Sequence, residues 1–177
     1  MIIIINGSVG VGKTSVADQL HYKFEKSVHL DGDAIGDVHP FIIYDDARIS
    51  YLYRTLAHLI DFHQQNGYRC FVINYVFESA ESLQQLLELL KPLDPESHTY
   101  WLTCSEEEQT RRIRGRGRDE IKWELERFIE LHKIQVAAAQ RGFIGKQIDT
   151  SGMSVPEVAD EIWEDVFSLN GLFEILS

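Results

Sequence analysis

Short apolar runs alternate along the chain with longer stretches in which apolar residues recur every three or four positions. The short runs predict strands at residues 1–5, 28–30, 70–75, 99–103 and 146–148. The first, MIIII, is apolar at every position, as a central parallel strand covered on both faces requires. The longer stretches predict helices over 13–25, 46–65, 80–90, 119–139 and 155–167. In the second of these, Ile49, Leu52, Tyr53, Leu56, Leu59, Ile60 and His63 share one face. Asn66-Gly67 marks its end, and Pro92 follows the end of the next. Ser105 with Glu108 and Ser154 with Glu157 have the spacing of capping boxes. The helix opened at Ser105 is interrupted by an arginine–glycine stretch over 111–118. Residues 34–45, with Gly36 and Pro40, read as a loop. The tail 168–177 is apolar enough to dock, but no pattern assigns it a state.

Strands alternating with helices predict an α/β fold with a mostly parallel sheet and right-handed crossovers. The length, and the absence of repeats or a linker, predict one domain over 1–177. In such sheets ligands bind at the carboxyl ends of the strands. Chemistry is therefore expected just after residues 5, 30, 75, 103 and 148.

Composition narrows the function classes. Of the 177 residues 44% are hydrophobic and 25% charged, an ordinary balance for a soluble domain. No stretch approaches the roughly 20 apolar residues that span a bilayer. MIIIING is too short and lacks the basic flank of a signal peptide. Cys70 and Cys104 form no metal motif, so buried thiols and a cytoplasmic location are expected. The formal net charge of −11 argues against a nucleic-acid surface. Yet RRIRGRGR at 111–118 gathers five arginines, and no Lys or Arg follows Lys146. A local arginine cluster on an acidic chain points to a small anionic ligand. Nothing in the sequence indicates an oligomeric state.

The first strand leads into Gly7-Ser8-Val9-Gly10-Val11-Gly12-Lys13-Thr14, a full match to G-x-x-x-x-G-K-[ST]. Glycines let the backbone curl so that its N–H groups face inward and cradle phosphate oxygens. The helix that starts at Lys13 turns its positive dipole end toward the same anion. Lys13 can reach the β- and γ-phosphates, and the Thr14 hydroxyl can ligate magnesium.

Two more segments belong beside this loop. The second strand ends in Asp31-Gly32-Asp33. If strand geometry persists, the two carboxylates share a side and face the crevice. One could hold a metal and the other accept a proton from an acceptor hydroxyl. An exposed Asp-Gly turn would use the same residues without chemistry. Arg111, Arg112, Arg114, Arg116 and Arg118, interleaved with Gly115 and Gly117, suit a lid that brings cations to a transferring phosphoryl group. Arg111 and Arg112 could instead pair with Glu107 and Glu108 one helical turn back.

With these elements in order, the chain resembles the small P-loop kinases that phosphorylate metabolites or drugs: shikimate, gluconate and adenylylsulfate kinases, and chloramphenicol phosphotransferase. GSVGVGKT matches their phosphate loop. LDGD at 30–33 looks like the Asp-Gly-Asp motif of the adenylylsulfate kinases, RRIRGRGRDE looks like the lid, and QIDTSGMSVPEVADEIW at 147–163 is similar to the loop that flanks adenine. The resemblance implies a P-loop NTPase three-layer sandwich. Its five-stranded parallel sheet has order 2-3-1-4-5, with helices on both faces and an Arg-rich lid over about residues 105–120. It implies ATP and Mg²⁺ as cofactors, with Gly7, Ser8, Val9, Gly10, Val11, Gly12, Lys13, Thr14 and Ser15 around the phosphates. It puts Thr14 and Asp31 on the metal, Asp33 as the catalytic acid, and Lys13 with Arg116 or Arg118 on the transferring group. Adenine would lie between Arg112 and the 149–156 loop, with Ser151 and Pro156 beside it.

This sequence also departs from those relatives. Ala34, Ile35 and Gly36 replace the Asn and Arg that follow the acidic pair in an adenylylsulfate kinase. Asn74 stands where a strong Walker B motif has Asp. Tyr75, Val76 and Phe77 stand where the shikimate group has a glycine pair, which indicates an aromatic, less polar acceptor pocket. The expected function is ATP-dependent phosphotransfer to a hydroxyl of a small molecule, without nucleic acid or membrane as partner. A nucleoside or nucleotide kinase, and a nucleotide-sensing module without catalysis, are the alternatives.

Overall fold

A computed structural model describes residues 1–115, 117 and 121–169. The elements run β1 (Ile2–Gly7), α1 (Lys13–His21), β2 (Ser27–Asp31), α2 (Gly32–Ile35), α3 (Asp46–Gln65), β3 (Cys70–Asn74), α4 (Ala80–Leu90), β4 (His98–Thr103), α5 (Glu106–Gly115), α6 (Ile121–Arg141), β5 (Lys146–Asp149) and α7 (Val155–Leu169). The strands form one sheet in the order β2-β3-β1-β4-β5, and every pairing among them is parallel. That is the order and direction expected from the sequence.

The unbroken apolar run of β1 sits at the sheet's centre because its alternate residues serve opposite faces. Ile3 and Ile5 join Val16, Ala17 and Leu20 of α1 and Val158, Ala159, Ile162 and Val166 of α7. Ile2 and Ile4 join Leu52, Leu56 and Ile60 of α3 and Leu83, Leu86 and Leu90 of α4. All four isoleucines are fully buried. Helices therefore cover both faces, and Cys70 and Cys104 are buried free thiols within these layers.

Most strand ends differ from the sequence expectation by a residue or two, and α5 runs through Arg111 to Gly115, where the arginine–glycine stretch was expected to interrupt it. α1 stops at His21, four residues early, and turns through bonds from Lys23 N to Leu20 O and from Phe24 N to His21 O. Phe24 still packs on the α1–α7 side, so the periodicity reported its burial rather than its helicity. α6 runs two residues further, to Arg141. The short helix α2 begins directly at Gly32, where an extended chain was expected.

Strand register sets the site. Asp31 ends β2 opposite Asn74, and Asn74 ends β3 opposite Ile5 of β1. The carboxyl ends of the central strands thus bring together the acidic segment, Asn74 and the phosphate loop. Beneath the loop, the fully buried Asn6 accepts on its Oδ1 from Gly7 N (2.7 Å), Phe77 N (2.9 Å) and Gln135 Nε2 (3.0 Å), and donates to Ile144 O (3.0 Å).

Candidate phosphoryl-transfer site

Residues 7–14 leave β1 and enter α1 as a loop with glycines at φ +88° (Gly10) and +100° (Gly12). Gly12 is the cap of α1 in left-handed conformation, and no side chain caps the helix. The first N–H groups of α1 therefore remain available to an anion. A Cβ at Gly10 would stand 2.6 Å from Ile113 Cγ1, so α5 packs directly on the loop. Lys13 is buried and donates to Ser8 O at 3.1 Å, across the space the loop encircles. Gln109 of α5, also buried, donates to Ser8 Oγ at 2.6 Å and to Val9 O. Neither Gln109 nor Asn6 belongs to a phosphate-loop motif, and no sequence signal marked either as a brace.

The acidic segment is organised differently from the strand continuation expected at Asp31 and Asp33. The chain turns into α2 at Gly32, and the Asp31 side chain caps that helix. Its Oδ1 accepts from Asp33 N (2.8 Å) and Ala34 N (3.2 Å). Its other oxygen, Oδ2, accepts from the Thr14 hydroxyl at 3.3 Å. Asn74 donates to Thr14 Oγ1 at 3.3 Å, while its Oδ1 faces His29 Nε2 across a short hydrogen bond. The His29 contact orients the amide, with nitrogen toward Thr14. Burial works to raise the Asp31 pKa. Hydrogen bonds from Asn74, from the Ala34 and Asp33 backbones and from Thr14 outweigh it, and the pKa falls below the usual carboxylate value.

Asp33, two residues on, has the opposite balance. Its surface opens to the cleft, yet the surrounding protein desolvates it and raises its pKa. Lys13 and Arg48 pull it down and Asp31 pushes it up, leaving it above the ordinary value. One carboxylate is thus held ionised and its neighbour is made more basic, a division of roles that sites of acid–base chemistry use.

Among the described residues no group of three or more His, Cys, Asp or Glu lies close enough to hold a metal ion. The Thr14 hydroxyl and the Asp31 carboxylate nonetheless fit a hard cation. Magnesium is commonly held by one or two protein oxygens, with phosphate oxygens and water completing its shell.

Arg112 lies in the groove between the phosphate loop and the loop after β5. It bonds Glu108 Oε1 (2.8 Å), Val11 O (3.2 Å), Thr150 Oγ1 (2.9 Å) and Thr150 O (2.8 Å). Ser151 Oγ accepts from Ser105 N at 2.9 Å and donates to Asp149 at 2.7 Å, tying that loop to the start of α5. Pro156 is exposed in the first turn of α7. Arg112 and the Thr150–Ser151 turn therefore border one region. Arg111 and Arg112 both pair with Glu108, rather than one each with Glu107 and Glu108. Ser105 Oγ accepts from Glu108 N at 3.3 Å, but the Glu108 carboxylate turns to the arginines, so only half of that capping box forms. The box at Ser154–Glu157 forms in both directions. Arg116 and Arg118 lie outside the described residues.

On the far side of Asp33, the Tyr75 ring lies against Gly32, where a Cβ would come within 2.7 Å of it. Tyr75 packs edge-on against Tyr53 and Phe77. Of the Tyr75 and Phe77 expected in an acceptor pocket, Phe77 is buried in the core with Tyr53, and Tyr75 keeps a partly exposed face. Arg48 of α3 lies within electrostatic reach of the Tyr75 hydroxyl. It is buried and donates to Ile42 O (2.9 Å) and Ile43 O (2.8 Å).

A family model described as AAA domain matches residues 3–135, from β1 into α6. No curated protein matches the sequence significantly. Among solved structures, the tunicamycin resistance protein of Deinococcus radiodurans superposes with a TM-score of 0.65 at 22% identity, covering 93% of this chain and 94% of that one. A gluconokinase from Sinorhizobium meliloti gives 0.64 at 16% identity, covering 99% and 97%. Shikimate kinase from Acinetobacter baumannii, in complex with shikimate, gives 0.60 at 18% identity, covering 94% and 93%. The chain belongs to the AAA domain family and carries the fold of the small-molecule P-loop kinases.

Proposed function

We propose that the protein transfers the γ-phosphate of ATP to a hydroxyl group of a small molecule. The observation that carries this reading is Asp33, a carboxylate of raised basicity within electrostatic reach of Lys13 and beside the Thr14–Asp31 pair. A nucleotide-binding switch has no need of such a base. The folds shared with a gluconokinase and a shikimate kinase support the same class of reaction.

In this reading the loop 7–14 and Ser15 hold the phosphates, and Arg112, Ser151 and Pro156 border the adenine. Lys13 leaves its Ser8 carbonyl to meet the β- and γ-phosphates. Thr14 and Asp31 would hold magnesium, which when bound supplies positive charge to the phosphate oxygens. Asp33 accepts the proton as the acceptor oxygen bonds to phosphorus and the bond to ADP breaks. Arg116 or Arg118 completes the charge around the transferring group.

A positioned general base contributes about 10²–10⁴-fold. Asp33→Asn is therefore expected to lower kcat by at least about a hundredfold while ATP still binds, read by acceptor-stimulated ADP formation and by ATP titration. A phosphotransfer rate untouched by Asp33→Asn would remove Asp33 from the mechanism. Turnover of nucleosides or nucleoside monophosphates in the same assay would move the acceptor to that class.

A further inference from the structure

Residues Phe41-Ile42-Ile43-Tyr44 follow Asp33 in the loop leading to α3, and all four are solvent-exposed, at 52%, 57%, 36% and 60%. Four consecutive exposed apolar residues are a liability that a soluble surface avoids unless they bind something. This loop is also held in place. Arg48 grips the Ile42 and Ile43 carbonyls from below, and its guanidinium lies 4.5 Å from the centre of the Phe41 ring. Arg127 of α6 donates to the Tyr44 hydroxyl at 2.7 Å and is itself paired with Glu78 and Glu130.

Among the described residues, Arg48 and Arg127 are thus turned onto backbone carbonyls and carboxylates. They present the apolar loop rather than a receptor for an anion. Among the described residues here, the acids Asp33, Asp37, Asp45, Asp46 and Glu78 outnumber the cations Lys13, Arg48 and Arg127, a balance that disfavours an anionic acceptor. Tyr75, half-buried against Gly32 and within electrostatic reach of Arg48, continues the apolar side of this region.

We infer that the acceptor is an uncharged hydroxyl compound with a bulky apolar body. That body rests on the Phe41–Tyr44 loop and presents its hydroxyl to Asp33. This inference rests on the phosphotransfer reading above. In the transfer, the acceptor O–H proton passes to the Asp33 carboxylate, the oxygen–phosphorus bond forms, and the bond to the ADP oxygen breaks.

The test uses the full chain with Mg·ATP and two acceptor sets. One set is neutral, phenylalkanols of increasing chain length and N-acyl amino alcohols. The other is anionic, gluconate, shikimate and glycerol 3-phosphate. ADP formation stimulated by the neutral set, with kcat/KM rising with apolar size, is the expected result. Nile red, a neutral apolar dye, gives a readout independent of turnover. Phe41→Ser/Ile42→Ser should weaken its binding about tenfold and raise the acceptor KM more than it lowers kcat. Both positions are exposed, so the variant should retain its fold. Turnover of the anionic set with the neutral set inert would overturn the inference and leave the kinase reading intact. Unchanged Nile red binding in the double variant would also overturn it. So would sedimentation showing that the loop is buried in a dimer which the same variant dissociates. Loss of dye binding in the variant, with no acceptor of either set stimulating ADP formation, would support the apolar site and count against phosphotransfer.

Discussion

At position 74 the end of β3 offers an amide where a carboxylate would be the stronger metal ligand, and His29 fixes which way that amide faces. Asn74 can then donate to Thr14 and Asp31 but adds no negative charge. It thereby helps keep the Asp31 carboxylate ionised, with its Oδ2 turned to Thr14. Partners of this kind typically change metal affinity by about 10–100-fold when removed. Asn74→Leu should therefore weaken the magnesium dependence of ATP binding by about tenfold or more, while metal-free ATP binding changes little. Titrating ATP with and without Mg²⁺ reads this directly, and equal losses in both would show that Asn74 shapes the loop rather than the metal side. At this scale the sequence was partly legible. Asp31, Asp33 and Asn74 were visible as types at a strand end, because strand ends in parallel sheets are where ligands bind. That Asp31 would cap a helix was hidden, because Asp-Gly-Asp fits an extended strand, a turn and a helix start equally well.

Among the elements, α5 does more than carry the basic segment. Its Gln109 and Ile113 abut the phosphate loop, and its Glu108 holds Arg111 and Arg112. Those two guanidinium partners lower the Glu108 pKa to about 2 from an ordinary 4.5. A carboxylate whose pKa is depressed by folding adds stability above its unfolded value and loses it as pH falls toward the folded one. Glu108→Gln should therefore lower the urea midpoint at neutral pH, and the gap to wild type should close between pH 4.5 and about 2. A gap that stays constant across that window would show that the pairs contribute nothing. The helix was legible from its Ser105 start and its charge spacing. Which acid would pair with which arginine was not, because spacings of three and four both face one another on a helix.

In the whole molecule, one chain-wide pattern sets both the fold and the place of the site. Alternation of strands and helices implies the parallel sheet, and the doubly buried β1 implies a central position with helices on both faces. What local patterns could not show is the long-range polar support. Gln135 of α6 donates to Asn6 Oδ1 and Phe77 O, both at 3.0 Å, and accepts from Trp101 Nε1 at 3.3 Å. These contacts join four distant segments beneath the phosphate loop, and no local period encodes them. Removing one partner of a buried network leaves desolvated groups unpaired, at a cost of about 1–3 kcal/mol each. Gln135→Leu should destabilise the protein by at least that amount in urea unfolding and weaken ATP binding. Loss of stability without loss of ATP affinity would separate this network from the loop.

The central claim is that Asp33 and the phosphate loop form the two halves of a phosphoryl-transfer site. Following the γ-³²P label of ATP, with neutral and anionic hydroxyl compounds supplied in turn, tests it most directly. The label should appear in a phosphate monoester of the acceptor, at a rate reduced at least about a hundredfold in Asp33→Asn. Label that remains in ATP or appears only as inorganic phosphate with every acceptor class, or equal transfer by wild type and Asp33→Asn, would contradict it.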